Sequence, residues 1–313
     1  MGFIGKRLTS TLITLLLVSI FCFLAFRLVP GDAAMLALGT EAGAEQIEAL
    51  RSEMGLDKSL PVQYCVWLKN FLTGKLGNSA RFRGASVSGI ILDRLPVTFS
   101  LAFLSFIFVL GIAFPVSLVS VKRENSVIDR IVTTLSALNI SMPGFFLGIL
   151  FIWIFGITLK FFIPGAYVSY TESGGRFFLY LVFPAIAIAL PNAALVVKFL
   201  RTGIFREFQS DYARTAKSKG GSRSHILRAH VLKNASLPVI TLLGMIAGEI
   251  LSGSIVIEQV FGIPGIGRLL ISSIISRDYV LIETLVIYIA FTVILANTLA
   301  DIILQIVDPR IRL

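Results

Sequence analysis

Charged residues are scarce in this chain of 313 residues, in which Asp, Glu, Lys and Arg together make up only 15%. Soluble domains are typically about a quarter charged. Hydrophobic residues make up 56% of the chain, and the mean hydropathy is +0.87. A soluble globule of this composition would expose large apolar patches to water. The composition therefore excludes an ordinary soluble domain and indicates a protein that has lipid as its solvent.

Residues that commonly carry chemistry are also few. The two cysteines, Cys22 and Cys65, lie in an apolar run and a polar segment, so we interpret both as structural. The two histidines, His225 and His230, are five residues apart and would not share a helix face, so they do not predict a metal site. The chain has no phosphate-binding loop, no H-E-x-x-H pattern and no G-x-S-x-G pattern. It therefore predicts no catalytic site, no metal and no cofactor held by this chain.

Long apolar runs are what the sequence has in abundance. A helix needs roughly 20 apolar residues to cross a bilayer, and helices are favoured over strands because each satisfies its own backbone hydrogen bonds in lipid. The sequence therefore predicts an all-α membrane protein with about six transmembrane helices in one domain, 1–313. The predicted spans are 8–29, 97–121, 131–155, 177–197, 237–257 and 279–307.

Lys and Arg residues set the expected orientation. Segments on the side of the N-terminus include 122–130 and 198–233, which are rich in Lys and Arg. The two short loops on the opposite side carry only Lys160, Arg176, Arg268 and Arg277. Because positive residues concentrate in cytoplasmic loops, both termini are expected in the cytoplasm. The net charge of +10 is interpreted in this way, and no nucleic-acid partner is expected.

Two segments outside the spans stand out. The extracytoplasmic segment, 31–95, contains patterns typical of helices and is expected to be folded. The cytoplasmic segment, 201–236, contains a short predicted helix that begins at Ser210 or Asp211 and stops at Gly220 or Gly221. Lys217 and Lys219 would lie in its last turn, where the helix dipole favours cations.

Glu249 is the ionisable residue that falls deepest within a predicted span. One interpretation is a pathway or gate residue that faces a water-filled cavity. The alternative is a carboxyl group that packs against a neighbouring helix or a partner subunit. Prolines within the spans, such as Pro143, are interpreted as kinks, and the small residues Gly244 and Gly248 as points of close helix packing.

The cytoplasmic segment carries a recognisable motif. Residues 211–220 read Asp-Tyr-Ala-Arg-Thr-Ala-Lys-Ser-Lys-Gly and are followed by Leu237-Pro238. This pattern resembles the cytoplasmic loop of ABC-importer permeases, and more narrowly the dipeptide/oligopeptide/nickel family. Further resemblance lies in Arg94-Leu-Pro-Val-Thr98, in Glu258 to Arg268 and in Val307-Asp-Pro-Arg310. The general family pattern begins with Glu-Ala-Ala, whereas this chain has Arg214-Thr215-Ala216.

The resemblance implies a type I importer permease in the bacterial cytoplasmic membrane. Of the two permeases in such an importer, it implies the first subunit. It also implies a second homologous permease, two cytoplasmic ATPases that bind ATP and Mg²⁺, and an extracytoplasmic solute-binding protein. The short helix would be the ATPase-coupling helix. Its implied functional residues are Asp211, Tyr212, Ala213, Arg214, Thr215, Ala216, Lys217 and Gly220.

Peptides are the leading solute that the resemblance implies, with nickel, metal chelates and other small solutes as alternatives. Two other function classes are kept open. An ion-driven secondary transporter would show paired repeats and several deep charges, and neither is evident here. An intramembrane enzyme would need a nucleophile or metal constellation, which the sequence lacks.

Overall fold

The computed structural model describes residues 3–28, 43–53, 57–79, 81–82 and 84–307. Residues 29–42 of the outer segment lie outside this part of the chain, as does most of the C-terminal motif with Arg310 and Arg312. The described residues form helices joined by turns, with one isolated β-bridge between Asn78 and Ser86. The expectation of an all-α chain is confirmed.

Thirteen α-helices occur within the described residues, and two of them continue into π-helical turns. The helices before the middle of the chain are α1 (Phe3–Leu28), α2 (Ala44–Glu53), α3 (Leu60–Leu72), α4 (Val87–Lys122), α5 (Val127–Ser141) and α6 (Gly144–Phe151), which continues as a π-helix over Ile152–Thr158. Those that follow are α7 (Gly174–Phe208), α8 (Asp211–Ser218), α9 (Arg223–Ile226), which continues as a π-helix over Leu227–Val231, α10 (Leu232–Ala235), α11 (Leu237–Phe261), α12 (Ile266–Ile275) and α13 (Tyr279–Val307).

Five helical stretches are long and apolar enough to cross a membrane, and the number rises to seven if two bent helix pairs each count as one span. The expected number, six, lies in this range. The stretch predicted as the third span, 131–155, is divided between α5 and α6, which meet at an angle of 104°. Pro143 lies in the break and precedes the first residue of α6. Proline disfavours helical geometry in the residue before it, so Met142 is extended. The bend is much sharper than the simple kink expected from the sequence.

Helix α7 lies at the centre of the fold. Of the residues in its most apolar stretch, 61% are buried, whereas only 17% are buried in the corresponding stretch of α1. Helix α1 is therefore peripheral. The core around α7 is built from small and branched residues, including Leu181, Ala185, Ala189 and Leu200. Helix α4 packs most extensively against α7, and α5, α6 and α11 complete its surroundings.

Small residues allow α11 to approach α13 closely. A Cβ atom added at Gly244 would lie 2.4 Å from the Cβ of Ala300, and one at Gly248 would lie 2.6 Å from Oδ1 of Asn297. Real Cβ atoms essentially never approach so closely, so Gly244 requires glycine in this packing, whereas a side chain at Gly248 would require the Asn297 amide to move. The interpretation of both glycines as helix-packing residues is confirmed.

Contacts between distant segments agree with the predicted sidedness. On the expected outer side, Ser79 donates a hydrogen bond to the Asp278 carboxylate. On the expected inner side, Arg223 pairs with Glu124 and Arg7 pairs with Asp301. Each contact joins segments that the Lys and Arg distribution assigns to the same face of the membrane.

Candidate functional site

Helix α8 is a short surface helix that connects the central helix α7 to the return segment α9–α10. It has two inward-facing residues, Ala213 and Ala216, which are three apart and therefore lie on one face. Ala213 is only 3% exposed and joins the main core. All other residues of α8 are exposed. The helix therefore rests on the protein by its alanines and presents a polar face to the cytoplasmic side.

The C-terminus of α8 is closed by a Schellman motif. Gly220 has φ +83°, the left-handed conformation that favours glycine. Its N–H donates to the Lys217 carbonyl at 3.0 Å, and the Gly221 N–H donates to the Ala216 carbonyl at 3.1 Å. The positive φ explains the glycine at 220, and a Cβ at Gly221 would lie 2.9 Å from the Ala216 carbonyl oxygen, which explains the second glycine. Gly220 thus ends the helix.

Polar groups attach the N-terminus of α8 to the end of α7. Ser210 precedes the helix, and its hydroxyl donates to the Glu207 carbonyl at 2.6 Å. The Tyr212 hydroxyl donates to the Glu207 carboxylate at 2.7 Å. Partial burial of the Tyr212 phenol raises its pKa above the ordinary value. A movement of α8 would therefore be passed directly to α7.

The exposed face of α8 is polar and carries two cations, Arg214 and Lys217, with Lys219 directly after the helix. Arg214, Lys217 and Lys219 are exposed, and the Arg214 guanidinium lies 3.8 Å from the Asp211 carboxylate. Such exposed pairs contribute little to stability. Thr215 is also exposed and donates its hydroxyl to the Asp211 carbonyl. These side chains are available to an acidic or polar partner surface.

A buried ion pair fastens the neighbouring cytoplasmic turn to α7. Arg201 donates two hydrogen bonds of 3.0 Å to the Asp129 carboxylate, one from Nε and one from Nη2. The same carboxylate accepts a hydrogen bond from Ser120 at the end of α4 and another from the backbone N–H of Asn125. Asp129 is 4% exposed. We call this group, Ser120, Asn125, Asp129 and Arg201, the cytoplasmic clamp.

We did not predict this clamp from the sequence, because we interpreted Arg201 only as part of the inside-positive bias. A local signal was present in Ser126 and Asp129, since the Ser126 hydroxyl caps α5 by accepting a hydrogen bond from the Asp129 N–H. That signal predicts the start of a helix but not the partner 72 residues away along the chain.

Glu249 lies on α11 away from α8. Its side chain is exposed on the surface of this chain and lines a cavity of about 450 Å³ together with Met245, Asn297 and the pair Arg7–Asp301. The described residues give its carboxylate no hydrogen bond. This placement supports a pathway residue, or contact with a partner subunit, over packing within this chain. The pathway role stays a prediction.

The buried carboxylate within the second recognised motif is Glu258. It is fully buried and accepts hydrogen bonds from the Thr98 hydroxyl at 2.7 Å and from the Arg268 N–H at 3.1 Å. Gly265 lies against it, and a Cβ there would come within 2.3 Å of the carboxyl group. Glu258 therefore organises the turn between α11 and α12, which gives Gly265 a structural explanation.

Comparison with known proteins identifies the family. Residues 111–313 match the model of the binding-protein-dependent transport system inner membrane component, and residues 1–102 match the model of the N-terminal part of such membrane components. The chain belongs to this family. It is thus a permease, and the expectation drawn from the cytoplasmic motif is confirmed. An ion-driven secondary transporter is not supported, since the family is that of binding-protein-dependent systems.

Several proteins named as permeases are similar over nearly their whole length. The probable peptide ABC transporter permease protein y4tP of Sinorhizobium fredii is 34% identical over 99% of this chain and 99% of its own. The glutathione transport system permease protein GsiC of Pectobacterium atrosepticum is 38% identical over 98% and 97%. The oligopeptide transport system permease protein AppB of Bacillus subtilis is 33% identical over 99% and 99%.

A solved structure of the MetNI methionine ABC transporter, in inward-facing conformations, contains a chain of similar fold. The TM-score is 0.55 at 15% identity, and the match covers 70% of this permease and 96% of that chain. At this identity the likeness shows the fold alone. Together with the apolar helices, the family places this permease as a multi-pass protein of the bacterial inner membrane.

Proposed function

We propose that this permease is one of two membrane subunits of an ATP-driven importer of peptides. The observation that carries the proposal is α8, a surface helix anchored by Ala213 and hydrogen-bonded through Tyr212 to the end of the central helix α7. The relatives are named as permeases of peptide, oligopeptide and glutathione systems, which supports peptides as the solute. ATP and Mg²⁺ would be bound by partner ATPases, and a binding protein would deliver the solute.

The mechanism follows from the connections of α8. An ATPase that holds the exposed face of α8 would move this helix when it closes around ATP. Because α8 continues from α7, and α7 is clamped to the α4–α5 turn through Arg201 and Asp129, one displacement would reach α4, α5 and α7 together. Such a shared displacement couples the ATPase site to the membrane helices, as energy transfer between two sites requires.

Only exposed, unstrained positions of the α8 segment are suitable for a mutational test of this role. A charge at Ala213 would be buried in the core, and a side chain at Gly220 would be strained by its positive φ. Either change would damage folding as well as coupling. Lys217 is exposed on the free face of α8, so Lys217→Glu alters the proposed contact without altering the core. Lys6→Glu, an exposed change at the cytoplasmic end of α1, is the matched control.

The experiment measures ATP hydrolysis by the complete importer in liposomes, with and without peptide-loaded binding protein. We expect Lys217→Glu to reduce the stimulation roughly tenfold, the change that about 1.4 kcal/mol of lost contact energy produces, and Lys6→Glu to leave it unchanged. Equal stimulation of both variants and the unaltered complex would refute the coupling role of α8. Purification of the chain without any ATPase would refute the proposed machine as a whole.

A further inference from the structure

Two adjoining cavities open at the outer end of the fold, beside the turn between α11 and α12. The first has a volume of about 320 Å³ and the second about 510 Å³. Both are lined by Phe82, Arg94 and Pro264, so they form one continuous depression, which we call the outer groove. Volumes of this size are typical of small-molecule sites.

The first cavity brings three arginines together. Arg81, Arg94 and Arg268 all line it, and none of the described residues that line it is a carboxylate. Arg94 donates one hydrogen bond to the Pro264 carbonyl, and Arg268 donates one to the Gly262 carbonyl. Each guanidinium has five N–H donors, so most of them have no hydrogen-bond acceptor among the described residues. The Arg81 guanidinium lies over the Phe82 ring, 5.2 Å from its centroid.

Two of these arginines, Arg81 and Arg94, belong to the long outer segment, 31–95, and Arg268 belongs to a short outer loop. Long translocated segments largely escape the inside-positive bias, so arginines can gather on this side. The positive charges of the guanidiniums that line one cavity repel one another, and an anion bound among them would offset that repulsion. Guanidinium groups bind carboxylates in a planar, bidentate manner. The first cavity is therefore suited to a carboxylate.

The second cavity differs from the first in having a carboxylate in its lining in addition to Arg94, which lines both cavities. Its lining includes the Asp93 carboxylate and four hydroxyl-bearing residues, Tyr167, Ser169, Tyr170 and Thr171. Asp93 is exposed and makes no ion pair with the other described residues. A carboxylate beside hydroxyl groups is suited to an ammonium group. The outer groove thus has one end where arginines are the charged residues and another end where the Asp93 carboxylate and Arg94 both line the cavity.

We propose that the outer groove binds a zwitterionic peptide as it enters the membrane part of the importer. The peptide's carboxylate would lie among the arginines and its ammonium group near Asp93. This inference rests on the proposed function, because it names the part of the permease that receives the solute.

Arg81 is the most suitable position for a test, since its guanidinium makes no hydrogen bond with the described residues, unlike those of Arg94 and Arg268. Arg81→Gln removes the charge, and Arg81→Lys keeps it. Arg176→Gln removes an exposed arginine that does not line the groove. The probe is radiolabelled dialanine, delivered by its binding protein to the complete importer in liposomes.

We expect Arg81→Gln to lower the maximal uptake rate about tenfold while the concentration of loaded binding protein that gives half-maximal uptake stays the same. Arg81→Lys should keep most of the rate, and Arg176→Gln all of it. Equal maximal rates for Arg81→Gln and Arg176→Gln would overturn the proposal. A raised half-maximal concentration at an unchanged maximal rate would also overturn it, by assigning the arginines to docking of the binding protein.

Failure of the proposed function would look different. An unaltered importer that assembles with its ATPases but takes up no dialanine would refute peptides as the solute, and the outer-groove proposal with it. A normal rate for the unaltered importer, combined with a normal rate for Arg81→Gln, would refute only the groove.

Discussion

Removal of the Asp129 carboxylate should destabilise the permease more than any exposed charge on the same side. In Asp129→Ala, Arg201 loses two charged hydrogen bonds, and Ser120 and the Asn125 N–H lose their acceptor. Breaking a buried ion pair typically costs about 3–5 kcal/mol. The Arg201 side chain is 27% exposed and can be partly rehydrated, so we expect the lower end, about 3 kcal/mol.

The assay is thermal unfolding of the purified importer, followed by intrinsic fluorescence, together with a double-mutant cycle. Arg206→Ala is the matched control, because this arginine is on the same helix, its side chain is 75% exposed, and it lies 3.8 Å from Glu207. Its loss should cost less than about 0.5 kcal/mol. Asp129→Ala and Arg201→Ala together should cost clearly less than their sum, since both remove the same contact. Additive effects, or an Asp129→Ala cost equal to that of Arg206→Ala, would refute the clamp.

Two further changes test local structure by the same unfolding assay. Gly220→Ala should lower the free energy of unfolding by about 1 kcal/mol. The whole cost comes from the left-handed backbone, because a Cβ at this position meets open space. Gly175→Ala, also in open space but without a positive φ, should cost nothing, and equal losses of stability for the two variants would contradict the Schellman motif. Thr98→Val should cost about 1–3 kcal/mol, because buried Glu258 loses a donor and the Ile266 N–H loses its acceptor. The exposed Thr9→Val is its control, and a Thr98→Val variant as stable as Thr9→Val would contradict the role of Glu258.

Much of the fold could be predicted from local pattern. Apolar runs long enough to cross a bilayer, and the uneven distribution of Lys and Arg, are properties of contiguous sequence. The helix over Asp211–Ser218 was also visible, because its start and its glycine stop are local signals. Gly244 and Gly248 could be recognised as packing residues because they are small residues within a predicted span, which is also a local property of the sequence.

The features of the fold and of the site that could not be predicted depend mainly on contacts between residues far apart in the sequence. The pairing of Asp129 with Arg201 and of Asp278 with Ser79 joins segments far apart along the chain, and a single sequence carries no signal for such pairs. The 104° bend at Pro143 was also underestimated, because proline predicts a break without its angle. The burial of Ala213 within α8 shows that a recognised motif contains anchoring residues as well as exposed ones.

In the importer that we propose, the exposed face of α8 contacts an ATPase. The most direct test places a photo-cross-linking amino acid at Thr215, which is exposed on that face, and illuminates native membranes that contain the whole importer. The account predicts a covalent adduct between this permease and an ATPase subunit, and none when the same amino acid replaces exposed Lys160 on the expected outer side. Absence of the adduct at Thr215, in membranes where the ATPase is present, would contradict the account.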